Sequence, residues 1–311
     1  MAIIFRHGDR APISSFPNDL HPADDEREWP HGPGNLTHQG HERMVQLGRQ
    51  FRHQYNNVFS TREPEIRVRS SAAKRCIDSA TGFLTGFGCD PDQVDILIEK
   101  QMLTYPQSEQ YPILKKIIES CQFQEFVSKT ENQFLASQIG VGNTGALSIQ
   151  KLSDLSDNVM TQVANRKTLP DWITPHILST IKRFHLTTLH SVTSSRDMQQ
   201  LLTGRLYQDM KMEFEKMIED PETCPVLVYS THDVLVKALL LTLGLDDNDL
   251  WPPYSSAIVI ELLQSGESLP LNVKAYYWDI TSCRRIHFPI PIESAEIGCG
   301  IETFFNSLPS P

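Results

Sequence analysis

The stretch that decides the fold is Met1-Ala2-Ile3-Ile4-Phe5, which runs directly into Arg6-His7-Gly8-Asp9-Arg10-Ala11-Pro12. The apolar run predicts a short buried strand. In an open α/β sheet, ligands bind beyond the carboxyl ends of the strands, so the basic residues are expected at the ligand-binding edge. Two guanidinium groups beside an imidazole are typical of an anion site that has a nucleophile or a proton-transfer group at its centre. For this stretch taken alone, an ordinary solvated loop is the alternative.

Two further strands end in the same way. The alternating run Ile66-Arg67-Val68-Arg69-Ser70-Ser71 predicts a strand followed by a helix. The apolar run Cys224-Pro225-Val226-Leu227-Val228-Tyr229-Ser230 predicts a buried parallel strand, and Thr231-His232-Asp233 follows it before a helix that Gly244 closes. Three predicted strand ends therefore offer the candidate site residues Arg6, His7, Arg10, Arg69, His232 and Asp233.

Five motifs follow one another along the chain, namely Arg6-His7-Gly8-Asp9-Arg10-Ala11-Pro12, Trp29-Pro30-x-Gly32-x-Gly34-x-Leu36-Thr37-x-x-Gly40, Arg67-Val68-Arg69-Ser70-Ser71, Tyr229-Ser230-Thr231-His232-Asp233 and Pro252-Pro253-Tyr254-Ser255-Ser256. In these motifs and in their order the chain resembles the histidine acid phosphatases, the branch of the histidine phosphatase superfamily (branch 2) that includes the prostatic and lysosomal acid phosphatases. The resemblance spans almost the whole chain, and the middle, from about residue 103 to residue 190, carries little of it.

For the fold, we predict the α/β class, with a mixed, mostly parallel sheet flanked by helices on both faces. Residues 257–263 and 271–278 are expected to form its antiparallel edge, and residues 196–219 a helix. The resemblance implies that residues 1–104 and 186–311 form the phosphatase core. By the same resemblance, residues 105–185 form an inserted α-helical cap that sets substrate preference.

The predicted chemistry is the hydrolysis of a phosphate monoester without a metal, which requires positive charge, a nucleophile and an acid. Arg6, Arg10 and Arg69 are the expected phosphate-binding residues, because their forked guanidinium groups match phosphate oxygens. His232 is expected to add a further hydrogen-bond donor. Arg75 could reach the site, but the favoured place for it is the surface of the helix after the second strand.

The resemblance implies that a neutral His7 attacks phosphorus and forms a phosphohistidine, which water then hydrolyses. Asp233 is our candidate for the acid that protonates the leaving group and then activates the water. An acid pH optimum is expected, since acid favours a protonated Asp233 and the monoanion of a phosphate whose second pKa is about 6. The non-catalytic alternative for the His232-Asp233 pair is a core histidine hydrogen-bonded at the end of a strand.

Composition restricts the partners. The 311 residues are 40% hydrophobic and 21% charged, and they carry a net charge of −10. An acidic chain argues against nucleic acid or an anionic membrane as a partner, and no apolar run is long enough to cross a bilayer. The resemblance and the predicted chemistry imply a small-molecule or peptide phosphate monoester as substrate and no cofactor. No metal is expected either, since His38 and His41 lack an apparent third ligand. The resemblance suggests a homodimer.

The compartment is predicted from six cysteines and one sequon, Asn35-Leu36-Thr37, which suit a disulfide-bonded, glycosylated protein that is secreted or lysosomal. Six buried thiols in a cytosolic protein are the alternative, and the 15 possible pairings allow no assignment. Met1 to Phe5 is too short for a signal peptide and Arg6 interrupts it. The resemblance therefore suggests a trimmed or alternative start.

Other functions fit these motifs less well. Residues 140–145 match the dinucleotide fingerprint GxGxxG, but no apolar strand precedes them, and they predict a flexible loop. A phytase or phosphoinositol phosphatase would share the chemistry but favour a more basic rim than this acidic chain suggests. A non-catalytic phosphate-binding protein of the same fold would not need both His7 and Asp233. A mutase is disfavoured, because members of that branch usually carry a glutamate as their acid.

Overall fold

A computed structural model describes residues 1–59, 64–104, 130–139, 147–220, 225–244, 250–263, 272–279, 284–287 and 299–309. Contacts divide the chain into two compact units. The first unit comprises Met1–Gly8, Gly40–Pro106 and Thr193–Pro311, and the second comprises Asp9–Gln39 and Gln107–Val192. The second unit thus takes in residues 9–39 as well as most of the predicted cap. The assignment of a phosphatase core and a substrate-selecting cap stays a prediction.

Among the described residues, helices and strands mostly alternate in the first hundred, four helices and then four strands follow one another later in the chain, and residues 91–93 add a single 3-10 turn before β3. In chain order the elements are β1 (Ala2–Arg6), α1 (His38–Gln54), α2 (Asn56–Phe59), β2 (Ile66–Ser71), α3 (Lys74–Phe87), β3 (Ile96–Glu99), α4 (Thr130–Gln138), α5 (Ile149–Ala164), α6 (Pro175–Thr193), α7 (Arg196–Glu219), β4 (Val226–Thr231), α8 (Asp233–Thr242), β5 (Ala257–Leu263), β6 (Asn272–Asp279), β7 (Arg284–His287), β8 (Cys299–Gly300) and α9 (Ile301–Ser307).

The sheet of the first unit has the strand order β3-β2-β4-β1-β5-β6-β7, and β8 also pairs with β6. Its first four strands are mutually parallel, and β5 joins β1 in antiparallel register. The predicted mixed sheet with an antiparallel edge is therefore confirmed. Within the described residues, four antiparallel pairings stand beside three parallel ones, so the antiparallel part is larger than "mostly parallel" implies.

Helices cover both faces of this sheet, as predicted. On one face, Ile3, Phe5 and Val228 pack in a buried cluster with residues of α1 and α3. On the other, the hydroxyl of Tyr229 donates to Asp209 of α7 over 2.7 Å. Because successive side chains of a strand point to opposite faces, a strand buried on both faces must be apolar throughout, which explains the continuous runs in β1 and β4. Their carboxyl ends lie side by side, with Arg6 level with Thr231.

The second unit has its own core, built from α4, α5, α6 and the stretch before α1. Apolar residues of the three helices pack together, and Phe16 joins them through an edge-on contact with Trp172, 5.9 Å between ring centroids. Residues 14–34 contain neither helix nor strand, as their prolines predict. The GxGxxG segment lies outside the described residues. In the part of the chain that the structure describes, no helix is long and apolar enough to cross a membrane.

Candidate active site

The imidazole of His7 lies just beyond the end of β1 and is 3% exposed. Its Nδ1 is 2.8 Å from the carbonyl oxygen of Gly8, and its Nε2 is 3.1 Å from Nε of Arg75. A carbonyl oxygen only accepts and a guanidinium only donates, so the proton of the neutral ring is on Nδ1 and the lone pair is on Nε2. The geometry therefore presents His7 Nε2 as a nucleophile.

The backbone around His7 is held by neighbouring strands and by α3. The amide of His7 donates to the carbonyl of Thr231 over 2.9 Å, and the amide of Gly8 donates to the hydroxyl of Ser79 over 3.0 Å. Ser255 donates its amide to the carbonyl of His7 over 3.2 Å. These contacts keep the imidazole at a defined place on the edge of the sheet.

His232 follows β4 and lies beside His7, with 5.5 Å between the ring centroids. Its Nδ1 lies 3.4 Å from Nη2 of Arg75 and its Nε2 lies 2.9 Å from the hydroxyl of Ser71, the last residue of β2. Since Arg75 can only donate, Nε2 of a neutral His232 carries the proton and donates to Ser71. Arg75 thus connects the two imidazoles.

Arg75 was wrongly expected on the surface of its helix. It is the second residue of α3, and its guanidinium reaches both His7 and His232. Its neighbour Lys74 pairs with Asp78 four residues on, whereas the residue four after Arg75 is Ser79. Cations near a helix N-terminus oppose the helix dipole, and α3 has no acidic residue in its first turn. That mismatch was a sequence signal that pointed to the first turn of α3, although it does not distinguish Arg75 from Lys74.

Arg69, a predicted phosphate ligand, has a different environment. Its Nη2 lies 2.9 Å from Asp209 and its Nη1 lies 3.3 Å from Glu99. β2 continues for two residues beyond it, to Ser71, so Arg69 does not stand at the end of its strand. Two carboxylates face one guanidinium here, and the phosphate-binding role of Arg69 stays a prediction to which the geometry adds no support.

Arg6, the last residue of β1, has a guanidinium that is almost fully buried, 2% exposed. Its Nη1 donates to the carbonyl of Pro252 over 2.7 Å, and its Nη2 pairs with Oδ2 of Asp233 over 2.9 Å. The ring of Tyr254 lies 3.9 Å from the guanidinium carbon. The buried Nε has no hydrogen-bond partner among the described residues. An unpartnered buried donor is costly, and an acceptor oxygen of a ligand would satisfy it.

Asp233 begins α8, and its side chain is 27% exposed, so solvent or a ligand can reach it. Oδ1 accepts from the amide of Val234 over 2.9 Å, and Oδ2 accepts from Arg6 and, over 3.3 Å, from the indole nitrogen of Trp251. The carboxylate is therefore oriented at both oxygens.

Cys76 lies beneath His232, with its sulfur 3.7 Å from Nε2. Burial raises the pKa of this thiol to about 12, and the nearby charges of Arg75 and Arg6 act in the opposite direction without reversing it. Because the thiolate is the reactive form of cysteine, Cys76 is unsuited to be a nucleophile. Its thiol is free, whereas Cys121, Cys224 and Cys283 lie outside the described residues, so the predicted disulfides stay a prediction.

The predicted phosphate ligand Arg10 belongs to the second unit, and its guanidinium is paired there. Nη2 lies 2.6 Å from Asp157, and Nη1 donates to the carbonyl of Ala11 over 3.1 Å. The sequon residue Asn35 is in the same unit and donates its side-chain amide to the carbonyl of His31 over 2.6 Å. The role of Arg10 and the glycan at Asn35 stay predictions. Among the described residues, no group of three or more His, Cys, Asp or Glu side chains is placed to hold a metal ion.

Comparison with known proteins gives a consistent set of relatives. The sequence matches the family described as the histidine phosphatase superfamily (branch 2) over residues 1–138 and 186–277. The testicular acid phosphatase of Homo sapiens is 27% identical, with 94% of this chain and 74% of that protein covered. The lysosomal acid phosphatase of Bos taurus is 26% identical, with 98% and 76% covered. The solved phytase of Citrobacter braakii is 14% identical with a TM-score of 0.66, covering 98% of this chain and 96% of that one, and this likeness shows the fold.

Proposed function

This chain belongs to branch 2 of the histidine phosphatase superfamily, and we propose that it is an acid phosphatase that hydrolyses phosphate monoesters through a phosphohistidine. The observation that carries the proposal is the tautomer of His7, whose Nδ1 donates to a carbonyl and whose Nε2 lone pair faces the guanidinium of Arg75. Such an arrangement places a neutral nucleophile inside a cationic site.

In the first step, Nε2 of His7 attacks phosphorus, and the bond between phosphorus and the ester oxygen breaks. The leaving oxygen takes the proton of Asp233, while the imidazole keeps its Nδ1 proton and becomes a phosphohistidine. In the second step, water attacks phosphorus and gives a proton to Asp233, the bond to nitrogen breaks, and inorganic phosphate leaves. His7 and Asp233 thus return to their starting states.

Positive charge for the phosphoryl oxygens comes, in this proposal, from Arg6 and Arg75, with His232 as a further donor. The unpartnered Nε of Arg6 supports its share. The contacts of Arg75 with His7 and His232 support a role that the sequence had assigned to Arg69. Guanidinium groups suit this task because they stay charged at every relevant pH and bind two oxygens at once.

The acid optimum follows from Asp233. In the absence of substrate its carboxylate is paired with Arg6. A phosphate group that binds Arg6 competes for that pair, and the carboxylate then holds a proton more readily. Acid solution favours the same protonated form. Activity is therefore expected to rise towards acid pH and to need no added metal.

For the substrate we propose small-molecule or peptide phosphate monoesters, and for the compartment a secreted or lysosomal location. The names of the testicular and lysosomal acid phosphatases support a phosphate-ester substrate, and the name of the lysosomal one supports the compartment. The disulfides, the glycan at Asn35 and a homodimer belong to the same proposal and rest on the sequence.

The test is hydrolysis of p-nitrophenyl phosphate from about pH 4 to pH 8 without added metal, beside the His7→Ala variant. We expect activity that peaks in acid and is lost in the variant. A folded, intact chain that binds phosphate but shows no turnover would overturn the proposal in favour of a phosphate-binding protein. Faster turnover of inositol hexakisphosphate than of simple esters would favour a phytase instead.

A further inference from the structure

A short segment after α8 passes over the candidate active site. We call residues 250–256 the strap, and they lead from α8 into β5. Two of the contacts described above fix Arg6 to the strap, namely the carbonyl of Pro252 and the ring of Tyr254. A third joins the backbones, since the amide of Arg6 donates to the carbonyl of Ser256 over 2.9 Å. The strap therefore encloses the guanidinium at the end of β1.

A buried lysine fastens the beginning of the strap. Lys237 is 2% exposed and lies on α8, one turn after Asp233. Its Nζ donates to the carbonyl of Leu250 over 2.9 Å. Because buried lysines are rare unless they are paired, this contact is a specific attachment. The same helix thus carries Asp233 and fixes the residue that precedes Trp251.

Trp251 contacts the two charged groups at this point. Its ring centroid lies 4.9 Å from the guanidinium carbon of Arg6, and its indole Nε1 lies 3.3 Å from Oδ2 of Asp233. Oδ2 is also the oxygen that Arg6 holds. We infer that Trp251 is a positioning residue for Asp233, which its indole N–H keeps in place for proton transfer once substrate occupies Arg6. This inference rests on the proposed function.

The two donors to Oδ2 respond differently to a phosphate group. Arg6 is the donor that a phosphate group would take, because it is cationic and has an unpartnered Nε beside it. The neutral indole N–H has little attraction for phosphate by comparison, and it stays on the carboxyl group. Trp251 itself is half-buried.

Other groups around Asp233 also affect its proton. Arg6 pairs with Asp233, Cys76 interacts with it electrostatically, and Lys237 lies one turn further along the same helix. Arg75, His7 and His232 are the other charged or titratable side chains of the site. These groups are the same in the unchanged chain and in a Trp251 variant, so a difference in pH dependence between the two proteins reports the loss of the indole N–H.

Two effects follow from removal of the indole N–H. An anionic carboxylate loses a hydrogen bond, so Asp233 holds its proton to higher pH, and the basic limb of the kcat/KM profile moves up by about half to one pH unit. The acid is also less well placed. An alkyl leaving group depends on its proton more than a nitrophenolate does, so alkyl phosphates lose about tenfold in kcat/KM and p-nitrophenyl phosphate less than about threefold.

The experiment compares Trp251→Phe, which keeps an aromatic ring over Arg6, with the unchanged chain. The matched control is Trp278→Phe, because the indole of Trp278 donates over 3.2 Å to Gln50, a neutral partner. The pH profiles of kcat/KM are measured for p-nitrophenyl phosphate and for glycerol 2-phosphate. Trp251→Leu is the second variant, so that a folding defect in one variant does not decide the result, and thermal melts accompany each protein.

The expected result is a basic limb shifted upward in both Trp251 variants and unchanged in Trp278→Phe, with the larger loss on the alkyl ester. If the unchanged chain is active, and the Trp251 variants keep the position of the basic limb and lose kcat/KM equally for both substrates, this inference alone is overturned. The indole would then contribute only packing. An unchanged chain that hydrolyses neither ester would overturn the proposed function and this inference together.

Discussion

The carboxyl-terminal parts of β1 and β2 look alike in sequence, since a basic residue lies at or near the end of both strands, but they differ in structure. At the end of β1, Arg6 is buried beneath the strap and His7 lies at the edge of the sheet. In β2, Arg69 pairs with Asp209 and Glu99, while the guanidinium beside His7 comes from Arg75 on the following helix.

The strand register explains the difference. Arg6 is level with Thr231, the last residue of β4, whereas Arg69 is level with Tyr229. Arg69 therefore lies two residues back from the edge, roughly 6 to 7 Å at the usual rise per residue. There its guanidinium pairs with Asp209 of α7 and with Glu99, the last residue of β3. Two residues of register thus separate an arginine that two carboxylates hold from one that lies at the edge of the sheet beside His7, and the phosphate-binding role of each stays a prediction.

The most severe way to break the end of β1 is to remove its nucleophile. His7→Ala is expected to lower kcat by about 10⁴-fold or more, since it removes the proposed nucleophile. Steady-state hydrolysis of p-nitrophenyl phosphate measures the loss. His53→Ala, at an exposed histidine of α1, is the control and should keep full activity. Retention of substantial activity in His7→Ala, with the fold intact, would refute the nucleophile assignment.

Loss of the acid at the start of α8 is expected to have the next largest effect. Asp233→Asn keeps the shape but cannot protonate the leaving group, so kcat/KM for alkyl esters should fall by about 10² to 10⁴-fold and that for p-nitrophenyl phosphate by less. The two substrates are compared at one acid pH. Asp78→Asn, at a carboxylate of α3 paired with Lys74, is the matched control. Equal losses on both substrates would argue against an acid role.

The comparison of the two arginines is tested most directly by replacing each with alanine. Arg75→Ala should lower kcat/KM by about 10² to 10³-fold, because it removes a charged donor from the phosphoryl oxygens. Arg69→Ala should change kcat/KM by less than about tenfold and lower the melting temperature instead, since Asp209 and Glu99 lose their partner. Activity assays and thermal melts separate the two effects.

Lys74→Ala serves as the control for this pair, because Lys74 precedes Arg75 and is 69% exposed. It should affect neither catalysis nor stability by much. The reverse ranking, with Arg69→Ala inactive and Arg75→Ala active, would restore the assignment that the sequence alone suggested. It would also show that the register of β2 does not separate a structural arginine from a functional one.

The sequence predicted those strands and helices that a local pattern of apolar residues specifies. The strands at the ends of which His7 and His232 stand, the antiparallel pair β5 and β6, and helix α7 were all predicted from apolar patterns. Arg75 was missed because a basic residue in a first helical turn is usually solvent-exposed, and only the path of α3 past His7 shows where it points. The strap contacts of Trp251 join residues far apart in sequence, so no local pattern could reveal them.

The smallest effect is expected at Glu213 of α7, which pairs with Arg67 of β2 and bears on stability. Burial alone would raise the pKa of Glu213, but hydrogen bonds from Lys216 and Arg67 outweigh it, and the pKa lies below its ordinary value of 4.5. A carboxyl with a lowered folded-state pKa stabilises the fold above its unfolded pKa, and that stabilisation is lost as the pH falls through the folded pKa.

Glu213→Gln should therefore lower the free energy of unfolding by about 1 kcal/mol near neutral pH, a modest loss because the partner Arg67 is 39% exposed and solvent screens the pair. In strong acid the loss should be smaller, because Glu213 is then protonated in the unchanged chain as well. Urea unfolding at several pH values measures this difference. Glu215→Gln, an exposed residue of the same helix, should have little effect at any pH. A loss that is constant across the pH range would show that the charge of Glu213 does not matter.

The central claim is that His7 attacks phosphorus through Nε2, and trapping the intermediate tests it most directly. The protein is mixed rapidly with a phosphate monoester and quenched in base, where phosphohistidine survives, and the modified peptide is then mapped and its isomer identified by NMR. We predict phosphate on Nε2 of His7, since Nδ1 donates to the carbonyl of Gly8. Phosphate on Nδ1 or on another residue, or turnover with no trapped phosphate on any residue, would contradict the account.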